Sequence, residues 1–126
     1  MTSTYSQQFS APPSLWGLYP RILAARKPAF VPEGLSVPRL EARLSRVRVD
    51  PRHLRRYRAL CGSESRSGTD DGELPIAYPH LLASTLHLAI LGSERFPVGV
   101  LGLVHVGNRI EQFAPLDREG GGELAC

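Results

Sequence analysis

The chain has 126 residues and a formal net charge of +3, and its 42% hydrophobic and 21% charged content exclude wholesale disorder and suit one ordinary domain. Its longest apolar stretch, Leu81 to Leu91, is interrupted by Ser84, Thr85 and His87, short of the ~20 mostly apolar residues of a membrane span. Residues 1–8 lack the basic start and apolar run of a secretory signal, so a cytoplasmic location without membrane association is expected.

Residues 1–36 form a proline-rich leader. Pro12, Pro13, Pro20, Pro28 and Pro32 interrupt any long helix. Leu15, Trp16, Leu18, Tyr19, Ile22 and Leu23 are too apolar for a free linker, so the leader is expected to lie on the body of the protein or on a partner. A mobile tail is the competing reading.

Residues 37–49 read as a strand with a break in its alternation. Leu40, Ala42 and Leu44 share one parity, Val47 and Val49 the other, and a β-bulge near Ser45 reconciles the two. A short helix through Leu40, Leu44 and Val47 is the alternative. Asp50 and Pro51 then supply an N-cap and a first helical residue. Leu54, Tyr57 and Cys61 recur at helical spacing, and Gly62 supplies a stop.

A polar loop over Ser63–Glu73 precedes a longer helix that opens at Pro79 and closes at Gly92. This helix is apolar nearly all round and is expected to be buried. His80, Ser84 and His87 make its one polar stripe. Val98 to Phe113 reads as one long strand or a strand pair, with Gly99, Gly102 and Gly107 as weak points. Residues 117–126, with three consecutive glycines, read as a flexible tail.

The order strand, helix, loop, buried helix, strand predicts an α+β domain in which a curved antiparallel sheet wraps a long helix. Two or three strands are too few to complete that wrap, and their open edges would be liabilities. Something else is expected to finish the sheet.

Three segments carry a family resemblance. Tyr57-Arg-Ala-Leu-Cys-Gly62, Leu74-Pro-Ile-Ala-Tyr-Pro-His80 and Phe96-Pro-Val-Gly-Val-Leu-Gly-Leu-Val-His-Val-Gly-Asn-Arg-Ile110 are similar to the N-terminal, non-catalytic half of two-hot-dog MaoC-like acyl dehydratases, the (R)-specific enoyl-CoA hydratases. The likeness covers about two thirds of the chain, Leu35 to Leu116. It implies a partial hot-dog domain over residues 37–116, without its C-terminal strands. It also implies an acyl-CoA thioester as ligand, with water added across a trans-2 double bond by a catalytic half. That half carries Gly-Asp-x-Asn-Pro-x-His and, at the helix entry, His-Gly. Laid on this chain from Gly62, the Asp, Asn, Pro and His positions fall on Ser63, Ser65, Arg66 and Gly68, and the His-Gly pair becomes Pro79-His80. No general acid or base survives there, so no catalytic residue is assigned and no cofactor is expected.

By the same resemblance, Leu82, Leu86 and Ile90 are candidates to line an acyl tail, or else plain core, and Arg109 to touch a CoA phosphate, or else face solvent. Partners are expected to be a second copy or a catalytic hot-dog chain, giving a homo- or hetero-dimer.

Four other features bear on function. His80 and His87 lie ~10 Å apart along a helix axis, too far to share one metal without unusual reach, and no metal site is assigned. Glu64, Asp70, Asp71 and Glu73 read as solvated loop charge. Residues 1–59 carry 11 Lys and Arg against 3 acids, and residues 60–126 carry 4 against 9. Arg39, Arg43, Arg46, Arg48, Arg52, Arg55, Arg56 and Arg58 lie in that basic half, without a nucleic-acid motif, which ranks nucleic acid third among ligands. Of the two cysteines, Cys61 was expected to be packed and Cys126 a free tail thiol.

Overall fold

A computed structural model describes residues 4–62, 72–118 and 121–126. The loop residues 63–71, and with them the positions aligned to the family's catalytic motif, lie outside the described residues. The described elements are β1 (Thr4–Phe9), α1 (Leu15–Ala24), β2 (Arg39–Val47), α2 (Pro51–Cys61), α3 (Tyr78–Leu91) and β3 (Gly122–Ala125). The fold is α+β, with three helices and one mixed three-stranded sheet.

The central strand is β2. It pairs in parallel with β1, with Thr4 opposite Arg39 and Phe9 opposite Leu44, and antiparallel with β3. An all-antiparallel sheet was expected. The parallel pair arises because the long link from β1 to β2, which includes α1, is a crossover connection that a tight hairpin cannot make. The expected break in alternation is present, as the register of β2 on β3 shifts between Leu44 and Val47. Alternation puts Ala42 and Leu44 under α3, both buried, and leaves Arg43 in solvent.

Residues 122–125 are a strand rather than a free tail. Cys126 exchanges two backbone hydrogen bonds with Ala42, each 2.9 Å, and Leu124 packs against the core. The leader lies on the body: β1 joins the sheet and Ile22 of α1 is buried. Gly92 explains the fit, since a Cβ there would come within 3.0 Å of Ile22 Cγ1. Only a hydrogen at that position lets α1 approach the end of α3.

Both helices anticipated from the sequence form. Asp50 caps α2 by accepting a hydrogen bond from the Arg52 backbone N–H at 2.9 Å, Pro51 occupies the first turn, and Gly62 closes it in the left-handed region at φ 63°. Asp50→Ala is expected to cost about 1 kcal/mol, read as a lower urea midpoint at unchanged slope.

The apolar helix α3 is buried along Tyr78, Ala83, Leu86 and Ala89, whereas Leu81 is exposed. One core cluster gathers Ala42, Leu44 and Leu86; a second gathers Leu54, Leu74 and Tyr78 and joins α2 to α3. The expected strand over residues 98–113 does not form. Residues 103–112 run irregularly, and Leu101, Val104, Val106 and Phe113 are largely exposed. Branched apolar residues favour a strand only where a neighbour supplies pairing and packing, and here no described strand lies alongside.

Candidate functional site

Of the three candidates on α3, Leu86 and Ile90 belong to one core cluster and Leu82 to the other. Leu86 is fully buried between Ala42 and Leu44. Leu82 packs toward the α2 cluster and borders a 300 Å³ groove beside Pro12 and Leu44. Ile90 borders a different groove, of 660 Å³, on the far part of the helix. Leu86 is therefore core in this arrangement. Arg109 is strongly exposed and forms an ion pair with Glu111.

The larger of these two grooves gathers three of the four histidines. It lies between α3 and the segment that follows it. Ile90, Leu91, Val100 and Val104 supply apolar walls, and His80, His87, His105 and Asn108 supply the polar groups. The rings of His80 and His87 stand 5.2 Å apart between centroids, with their planes at 46°. The ~10 Å of helix rise between these residues thus overstated their separation, because rise fixes Cα positions and long side chains close much of the gap.

Hydrogen bonds orient the flanking groups. Asn108 Nδ2 donates to His80 Nε2 at 3.3 Å, which places the His80 proton on Nδ1. His105 Nε2 donates to the Gly107 carbonyl at 2.6 Å. Burial, and then the charges of His80 and His105, push the pKa of His87 below the ordinary histidine value.

His53 is used differently. Its Nδ1 lies 2.9 Å from the Tyr78 hydroxyl, and the Tyr57 ring meets Tyr78 edge-on at 5.2 Å. This is a structural contact between α2 and α3.

The arginines do not merge into one face. Arg39 and Arg43 both pair with Glu41, at 2.9 and 3.4 Å, and Arg43 also reaches Glu123 at 3.0 Å. The hydrogen bond from Arg39, followed by that from Arg43, holds the Glu41 carboxyl below its usual range. Arg46 and Arg48 border a separate groove beside Gly121 and Gly122. The cysteines reverse their expected roles. Cys61 is exposed, while Cys126 is half-buried against the core, and burial pushes its thiol pKa up. The strand pairing of β3, invisible in local composition, accounts for the difference.

Of the acidic loop residues, Glu64, Asp70 and Asp71 lie outside the described residues. The backbone of Glu73 forms an isolated antiparallel β-bridge with that of Asp117, and the Glu73 backbone carbonyl accepts from Arg58 at 2.6 Å. Among the described residues no helix is long and apolar enough to cross a membrane.

No protein-family model matches the chain, and no curated protein or solved structure matches it.

Proposed function

We propose that the chain is a non-catalytic hot-dog subunit or fragment that supports acyl-CoA binding in an (R)-specific enoyl-CoA hydratase completed by a catalytic partner. The observation that carries this reading is the segment after α3. It is rich in residues with strand preference, yet it exposes Leu101 at 70%, Val104 at 79%, Val106 at 94% and Phe113 at 93%. A row of such side chains beside a half-covered apolar helix is the surface expected of a sheet that a second chain completes. With that chain in place, the sheet would curve around α3 as the sequence resemblance implies.

The chemistry is divided in the same way. Ser63 and Gly68 stand where the family's catalytic half has its Asp and His, so the partner supplies the acid–base groups. This chain supplies apolar wall from α3, and Arg109 becomes a candidate for a CoA phosphate by exchanging Glu111 for it.

A second reading is favoured by one observation: Leu82 and Ile90 border different grooves, and Leu86 has no exposed surface. On that reading the chain is a hot-dog interaction module without a ligand.

The test is light scattering of the purified chain, alone and co-expressed with a hot-dog chain carrying Gly-Asp-x-Asn-Pro-x-His from the neighbouring reading frame, followed by crotonyl-CoA hydration. A stable complex that hydrates, with an inactive lone chain, is the expected result. A stable but inactive complex would favour the interaction module. Hydration by the lone chain would overturn both readings.

A further inference from the structure

The histidine groove has properties that acyl binding does not use. A tetrahedral ion held by two imidazole nitrogens at about 2.0–2.1 Å places the two ring centroids about 5 Å apart. His80 and His87 already stand at 5.2 Å. Nε2 of His80 faces the segment that carries His105, where Asn108 Nδ2 stands 3.3 Å away; an ion bound at that nitrogen displaces Asn108. His105 donates its Nε2–H to the Gly107 carbonyl, the outer-shell contact that commonly orients a ligating histidine through its other nitrogen. Among the described residues no carboxylate lines the groove, and apart from Asn108 its remaining walls are apolar.

We propose that His80, His87 and His105 form a site for a divalent transition ion of the zinc class, with His80 and His87 as a ready pair and His105 as the recruited third ligand. Among the described residues no three such side chains stand together at ligand distance, so His105 must move inward. It has the means to do so, since residues 103–108 lie exposed on an irregular segment. An imidazole set without carboxylate or thiolate suits zinc, nickel or copper rather than magnesium or calcium. When bound, the ion ties the segment after α3 down onto the helix. The site is independent of the acyl-CoA reading.

The experiment is isothermal titration of the untagged chain with Zn²⁺ in a non-chelating buffer, with cobalt(II) visible absorption as a second readout of coordination. One ion per chain is expected, with a tetrahedral cobalt spectrum. Loss of an outer-shell partner alone typically weakens metal binding about 10–100-fold, so His80→Gln, His87→Gln and His105→Gln are each expected to weaken Zn²⁺ by at least that much. His53→Gln, remote from the groove, should bind as the parent does. Absence of stoichiometric binding overturns the proposal, as does parental affinity in His80→Gln or His105→Gln. These two variants carry the test should the half-buried His87→Gln fail to fold, as judged by circular dichroism.

Discussion

Leu86→Ala is expected to lower the unfolding free energy by about 2–5 kcal/mol, the range for truncating a fully buried leucine. Leu86 has no exposed surface, and it is the residue through which α3 meets Ala42 and Leu44 of the central strand. Ala42 is already too small to fill the space left behind, and Leu44 is held by the ladder on both sides, so little collapse is available. For a domain whose total stability is on the order of 5–15 kcal/mol, urea denaturation should show a sharply reduced midpoint. Leu82→Ala, at a half-buried site, should lose less. Equal losses at the two positions would contradict the packing described here.

The second large effect lies at Tyr78. This residue has no exposed surface, packs on Leu54 and Leu74, and joins α2 to α3 through ring contacts with His53 and Tyr57. Tyr78→Ala is expected to cost about 3–5 kcal/mol, as for other large aromatic truncations. Tyr78→Phe keeps the ring and loses only the hydroxyl contact to His53, a matter of about 0.5–1.5 kcal/mol. The pair of variants thus separates packing from hydrogen bonding.

A pH dependence accompanies it. Burial, and then the Asp50 charge, raise the Tyr78 pKa above the usual tyrosine value. The folded state therefore favours the neutral phenol. Its contribution is complete below the unfolded tyrosine pKa of about 10 and is lost as pH rises through the higher folded value. Tyr57 is raised too, by burial and then by Cys61, so Tyr78→Phe should shrink the alkaline loss of stability without abolishing it.

The parts of the fold visible in the sequence are those written in local chemistry. Asp50-Pro51 and Gly62 mark both ends of α2, and Pro79 and Gly92 bracket α3. The parity break after Leu44 foretold the register shift in β2. β1 and β3 were missed because Thr4–Phe9 is mostly polar and Gly122–Ala125 follows a run of glycines. Their strand character comes from β2, a neighbour remote in sequence. The segment 98–113 shows the converse: strong strand composition, but no described strand beside it. At the candidate site, the stripe of His80 and His87 was legible and its closeness was not, because backbone spacing says little about where two flexible rings settle. His105 gave no sign of joining them, since its approach depends on how the chain returns along α3.

The central strand also has a consequence for the order of assembly. Arg43 pairs with Gln8 on one side and Ala125 on the other, so the first and last elements of the fold lie about 10 Å apart, two strand spacings, across a single ribbon. During synthesis β1 must wait for β2 to be made, and β2 then keeps an open edge until residues 122–125 emerge. The core formed by Ala42 and Leu44 is consequently finished only after residues 122–125 have been made. A stalled ribosome would present it half-built, with a bare strand edge ready to recruit whatever strand passes by.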